Sequence, residues 1–242
     1  MIVKLNGSSH PGYQRKKNED FYVIEDNPYP LMMVADGVSG ERKGEVASEL
    51  ASQAIIAHLY NYLKTDFSRN KVNFLLKEIF DKVNLLVYKA GKGSPDFQGM
   101  CTTLTLSLIY NKKLFVAHVG DSQAFIIRKS RIITLTKPHT LAHFMKIKTE
   151  DHPFSHVLTQ VIGQKKPLLV EARSVVLNNE DIIVLCTDGL GKYVSTREIK
   201  KIAISSDVHD LPEMLIGAAL AKGGHDNITV AVGFVEELEA NE

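Results

Sequence analysis

An α+β fold, antiparallel sheets with helices laid on their outer faces, is what this chain predicts, on three observations. Strand-like runs follow one another in hairpin order. Two turns are legible directly, Asn111-Lys112 in "IYNKKLF" and a second in "RKSRI". Helical stretches come in pairs rather than alternating one by one with strands, as a doubly wound parallel sheet would require.

Taken in order, residues 2–5, 21–24 and 31–35 read as strands, the last continuously apolar and therefore buried on both faces. Two long helices follow. Residues 44–63 put Val46, Ala47, Leu50, Ala54, Ala57 and Leu59 on an approximate apolar face. Residues 70–90 do so more clearly, with Val72, Leu75, Leu76, Ile79, Val83, Leu86 and Val87. Strands are predicted at 102–110, where "TLTLSLIY" alternates, and at 113–119, 124–128, 132–135, 169–176, 181–187 and 227–234. Ser195-Thr196-Arg197-Glu198 is a capping box that opens a helix. A last helix at 211–221 stops at Gly223-Gly224.

With 242 residues and 44% hydrophobic content, the chain buries a core without disulfide staples. It shows no repeat, low-complexity tract or linker, so one domain over 1–242 is expected, ending in a disordered acidic tail at about 236–242. Net charge is +1 with both signs interspersed, which leaves no electrostatic footprint for nucleic acid or an anionic membrane. The start lacks a secretory h-region, and no apolar run approaches the roughly 20 residues that span a bilayer. Cys101 and Cys186 sit in strand-like stretches without CxxC spacing. They read as small core residues of a reduced, cytoplasmic protein.

The chemistry lies in the acids at strand mouths. Asp36 follows "LMMVA", Asp121 follows "LFVAHVG", Asp188 follows "IIVLCT", Asp226 precedes "NITVAVGFV", and Glu19-Asp20 opens "FYVIED". Each alone is an ordinary turn residue, and Asp-Gly a good tight turn. Convergence would be costly, because two carboxylates about 5 Å apart repel by roughly 3 kcal/mol at an effective dielectric near 20. Gathered together, they need positive charge between them. All-oxygen ligation selects Mg²⁺ or Mn²⁺, and no His pair or Cys cluster competes. Gly37 lets its carbonyl approach a metal closely. Two cations bridged by one carboxylate hold a water, lower its pKa and aim it at phosphorus. Arg15, in "GYQRKKNED", reads either as an anion clamp or as part of a solvated basic run with Lys16 and Lys17.

The ordered segments "RKKNED", "VADGVSGERKGEVAS", "CTTLTL", "VGDSQAF", "LTKPHT", "HPFSHVLTQVIG", "LCTDGLGKYVS" and "GGHDNITVAV" resemble the type 2C protein phosphatases, the metal-dependent serine/threonine phosphatase (PPM) family, across essentially the whole chain. The compact length is similar to bacterial members. The resemblance implies a four-layer α-β-β-α sandwich: two antiparallel β-sheets with paired helices on both outer faces. It implies hydrolysis of phosphoserine and phosphothreonine on proteins by a water bridging two Mn²⁺ or Mg²⁺ ions. By the family's pattern Asp36 bridges both ions and the Gly37 carbonyl ligates one. Asp188 and Asp226 complete the other ion's protein ligands, and Glu19 and Asp20 match the acidic pair that meets the second ion directly or through its waters. Arg15 matches the phosphate-binding arginine. Asp121 matches a carboxylate that, with Asp188, holds a third, weaker ion in bacterial members. Asn227 matches a positioner. The implied partners are a phosphoprotein substrate and an opposing Ser/Thr kinase, with no nucleic acid or membrane, and a monomer is expected.

Departures from that pattern are specific. Ser39 and Glu41 stand where a glycine and a histidine are common, Val38 where animal enzymes carry a histidine proton donor, and Gln123 and Pro138 where arginine and aspartate are usual. Lys192, four residues beyond Asp188, replaces an aspartate of some members, which weakens a third ion site. The family's substrate-facing flap corresponds to about 139–156, here short and basic with histidines. His58 and His118 read as packed residues, and His139, His143, His152 and His156 as surface ones. His225, beside Asp226, is a weaker candidate to tune the site. Two other functions compete: a catalytically silent module that binds phosphoprotein or kinase partners, and a hydrolase of other phosphoesters. Mn²⁺ binding separates the first rival from an enzyme, because every core ligand position is still acidic.

Overall fold

The computed structural model describes residues 1–38, 43–63, 71–147 and 152–238. One sheet runs β1 (Ile2–His10), β11 (Ile228–Glu237), β10 (Ile182–Cys186), β7 (Gln123–Arg128), β8 (Arg131–Thr134). The other runs β2 (Asp20–Glu25), β3 (Leu31–Val38), β5 (Leu104–Tyr110), β6 (Lys113–Val119), β9 (Glu171–Val176), with the short β4 (Cys101–Thr102) on the end of β3. The pairings within both sheets are antiparallel.

Side-chain alternation along each strand separates the layers. Leu31, Met33 and Ala35 of β3 pack with α1 (Gly44–Leu63) and α2 (Val72–Gly93), whereas Met32 and Val34 turn the other way. There they meet Ile126 of β7, Leu185 of β10 and Ala231 of β11, which fill the space between the sheets. Each fully buried branched side chain in this layer contributes about 1.5–3 kcal/mol. The opposite faces of β7, β10 and β11 are covered by α5 (Thr196–Ser205) and α6 (Leu211–Leu220). The result is the expected four-layer α-β-β-α sandwich. Ser195 and Glu198 close the capping box reciprocally: the Ser195 Oγ accepts from the Glu198 amide at 3.3 Å, and Glu198 Oε2 accepts from the Ser195 amide at 3.0 Å.

Several expectations need correction. The buried face of α1 runs through Ala47, Ala51, Ala54, Ile55 and Leu59, leaving Ala57 exposed. In α2, Leu86 faces solvent and Phe80 takes a core place. β1 continues to His10 because it pairs with β11 along its length, from Ile2 with Glu237 to His10 with Ile228. The polar letters "NGSSH" hid that extension. The strand expected at 102–110 is interrupted at Thr103, whose backbone and side chain both turn to Asp36. Glu236 and Glu237, expected in a disordered tail, instead end β11, and Lys4 reaches Glu236 at 3.0 Å. Residues 239–242 lie outside the described residues, as do Ser39, Glu41 and positions 148–151 of the flap. On either side of that gap stand a short helix α3 (Leu141–Phe144) and a 3₁₀ turn at Pro153–His156, tied down by a bridge between Thr140 and Leu158. Cys101 is half-buried, Cys186 buried, and neither forms a disulfide. Among the described residues no helix is long and apolar enough to cross a membrane.

Candidate metal centre and phosphate pocket

Strand register sets the first part of the site. Asp20 of β2 stands directly across from Asp36 of β3. The Asp36 backbone is held from the other side, its amide donating to Thr103 Oγ1 at 3.0 Å and its carbonyl accepting from the Thr103 amide at 2.8 Å and Thr102 Oγ1 at 2.9 Å. Gly37 is not a turn residue: it stays in β3, with its amide donating to the Glu19 carbonyl at 3.1 Å. A Cβ there would run into the Gly44 carbonyl at the start of α1.

The second part comes from the neighbouring sheet. β10 ends at Cys186, and after Thr187 the chain bends into a one-turn helix, α4 (Asp188–Gly191), headed by Asp188. Asp121 lies just past β6, in the link to β7. The structure brings Asp36, Asp121 and Asp188 together: one oxygen from each lies within 4.8 Å of the others. These side chains line a cavity of about 360 Å³, whose walls also carry Arg15, Glu19, Gly37 and Asp226.

Arg15 bonds Asp226 at 2.9 Å and is half-exposed, while Lys16 is exposed and Lys17 pairs with Glu45 at 3.1 Å, so Arg15 alone of the basic run joins the site. Asn227 fixes the loop that carries it. Its Nδ2 donates to the carbonyls of Pro11 and Lys17, both at 2.9 Å, and its Oδ1 accepts from the Glu19 amide at 2.9 Å. Asp20 is buried and absent from the cavity wall, standing behind the pocket rather than on its surface. Its Oδ2 accepts from Thr187 Oγ1 at 2.8 Å and Thr229 Oγ1 at 2.6 Å. The two sheets are thereby joined by a carboxylate just beneath Asp36.

The electrostatics are those of an acidic cluster that Arg15 and Lys192 only partly compensate. Burial, and then repulsion from Asp188, pushes the Asp121 carboxyl up to about 7. Burial likewise lifts Asp20 to about 7 against the pull of the Thr229 and Thr187 hydroxyls. Asp36 is raised well above the ordinary carboxylate range by burial, with Asp188, Asp20 and Asp121 adding to it. Asp20 Oδ1 and Asp188 Oδ1 are buried with no hydrogen-bond partner. Unpartnered carboxylate oxygens facing other carboxylates fit a hard divalent cation, which supplies the missing partner and charge together.

Sequence reasoning missed Thr102, Thr103, Thr187 and Thr229, hydroxyl clamps without a one-dimensional signal beyond their adjacency to acids or strands. It also placed one histidine wrongly. His139 is tucked against His118, ring centroids 4.9 Å apart, and accepts from the Gly120 amide at 3.2 Å. His156 lines the cavity, as does His225, which lies against Tyr193. His118 is fully buried, as expected, and burial lowers it to about 3. Val38 lies on the cavity wall and offers no proton.

The profile of the family described as Protein phosphatase 2C matches residues 7–215. The chain is 31% identical over 241 residues to the "Protein phosphatase PhpP" of Streptococcus pneumoniae, covering 95% of this chain and 96% of that one. It is 29% identical over 229 residues to the "Serine/threonine phosphatase stp" of Listeria monocytogenes, covering 90% of each. Among solved structures, the S. agalactiae serine/threonine phosphatase superposes with a TM-score of 0.88 at 30% identity, over 97% of this chain and 100% of that one. The Mycobacterium tuberculosis serine/threonine phosphatase does so with a TM-score of 0.82 at 28% identity, over 98% of this chain and 100% of that one.

Proposed function

Because the chain belongs to the protein phosphatase 2C family, a group of metal-dependent protein serine/threonine phosphatases, we propose that the acidic cavity is where it hydrolyses phosphoserine and phosphothreonine. The observation that carries this assignment is the meeting of three carboxylates from separate strand ends within 4.8 Å, with unpartnered oxygens on Asp188 and on neighbouring Asp20.

When bound, a pair of Mn²⁺ or Mg²⁺ ions supplies an acidified water and positive charge against the phosphoryl oxygens. Asp36 would be a ligand to these ions, its backbone held in place by Thr102 and Thr103. The Gly37 carbonyl, Asp188, Asp226, Glu19 and Asp20 would complete the protein ligands of the ions. With Asp20 tied to two threonines, its free Oδ1 is the atom left for that task. Arg15 reaches the phosphoryl group with a planar guanidinium, and Asn227 keeps its loop in place. Orienting the phosphoryl group and stabilising its developing charge would together supply the rate enhancement. The leaving oxygen takes its proton from water. We assign the protein to the cytoplasm as a monomer that opposes a Ser/Thr kinase, its short flap at 139–156 facing the substrate.

The test is turnover of an aryl phosphate and of phosphopeptides with and without divalent metal. Activity that needs added Mn²⁺ or Mg²⁺ and vanishes in EDTA is expected. Full turnover in EDTA would remove the proposal, and absent Mn²⁺ binding heat would favour a silent phosphoprotein-binding module instead.

A further inference from the structure

Lys192 is a cation placed inside the acidic centre rather than beside it. The one-turn helix α4 fixes its position: the Lys192 amide donates to the Asp188 carbonyl at 2.9 Å, and its Nζ bonds Asp188 Oδ2. The side chain is 28% exposed, and Asp121 and Asp36 attract the same ammonium. It lines the metal cavity and also an adjoining one of about 510 Å³ that shares Asp121 and Asp188.

Asp188 therefore divides its two oxygens. Oδ2 faces the tethered ammonium, while Oδ1 is buried and has no partner. One carboxylate thus serves a lysine on one side and leaves a single atom for a metal on the other. The charges agree. Six acids, Glu19, Asp20, Asp36, Asp121, Asp188 and Asp226, stand with two side-chain cations, Arg15 and Lys192. Four negative charges remain, which two divalent ions neutralise. A third ion on the Asp121–Asp188 edge would have to displace the ammonium or sit against it, at a strong like-charge cost in a half-buried site.

We infer that Lys192 is a positioning residue that takes the place of a third divalent ion on the Asp121–Asp188 edge, limiting the centre to two ions and holding the cluster together before they arrive. This rests on the metal-centre reading above. It assigns Lys192 a positive role: it is the resident charge that allows the metal-free fold to keep Asp188 aimed at the pocket.

Two readouts independent of turnover test it: Mn²⁺ stoichiometry by equilibrium dialysis, and thermal melting in EDTA. Wild type and Lys192→Arg should bind two Mn²⁺ per chain, and Lys192→Asp three. Lys192→Met, similar in length but uncharged, should melt about 2–4 °C below wild type in EDTA, the shift expected for roughly 1 kcal/mol in a chain of this size. That gap should narrow in about 1 M salt, where charges are screened within ~3 Å, and Lys192→Arg should restore the melting point. Three Mn²⁺ bound by wild type would overturn the inference, as would a Lys192→Met protein that melts like wild type in EDTA. Wild type binding no Mn²⁺ is a different result: it overturns the metal-centre reading itself.

Discussion

Asp36-Gly37 and Asp188-Gly189 are the same dipeptide at the end of an apolar run, and they reach the same pocket along different backbones. Asp36-Gly37 remains strand, paired to β2 on one side and to β4 on the other. Asp188-Gly189 leaves its strand and begins a helix. What they share is crowding behind the carboxylate. A Cβ on Gly37 would strike the Gly44 carbonyl, and one on Gly189 would strike the Asn227 carbonyl. Glycine is therefore required at both sites for clearance and not for a turn, and the clearance lets each aspartate be pressed in from a rigid element.

The largest expected effect breaks the comparison at the carboxylates themselves. Asp36→Asn and Asp188→Asn should each lower Mn²⁺-dependent aryl phosphate turnover by about 10³-fold or more, read as kcat/KM. Similar losses would make the two corners equivalent, while retained turnover in either would remove it from the mechanism. Next come the glycines. Gly37→Ala and Gly189→Ala should each cost about 3 kcal/mol in urea unfolding, at the upper end for overpacking, because backbone carbonyls rather than flexible side chains are in the way. A tolerated Gly189→Ala would show that the α4 corner yields where the β3 strand does not. A smaller loss, about 1–3 kcal/mol by the same measurement, is expected for Thr229→Val, which takes a hydroxyl from Asp20 and leaves Oδ2 less satisfied.

The most gradual effect is on pH. Asp20 and Asp121 are both raised from 3.8 to about 7 in the folded, metal-free protein. Between those values the folded state binds protons that the unfolded state has released. Their contribution to stability is thus full below about 4 and lost as pH rises through about 7. Metal-free protein should melt higher at pH 5 than at pH 8. Mn²⁺ should bind more tightly over the same rise, since ligation needs the ionised acids. Melting curves in EDTA that climb with pH across this window would contradict the clustering of these acids.

The layers were legible because apolar alternation and paired helices are local patterns. So were the acids at strand mouths, since each interrupts a hydrophobic run. Their company was not. Thr229 reaches Asp20 across 209 positions and Thr187 does so across 167, and no local pattern announces either hydroxyl. The burial of Asp20 was hidden by its exposed-looking neighbours Glu19 and Asn18. The extension of β1 was hidden because Ser8 and Ser9 read as loop until Val230 and Thr229 are laid beside them. His139 looked like one of a surface histidine group because its partner His118 lies on β6, in the neighbouring sheet layer.

The long β1–β11 ladder has a consequence for biosynthesis. β11 sits between β1 and β10 and brings Asp226 and Asn227 to its mouth, while Ser9 and Thr229 touch at 2.7 Å across 220 positions. A nascent chain that has not yet delivered this strand leaves β1 without a neighbour and β10 with an open edge. It also leaves Arg15 without the asparagine that anchors its loop. The full acidic set and the anchored Arg15 loop are therefore assembled only once this strand is in place.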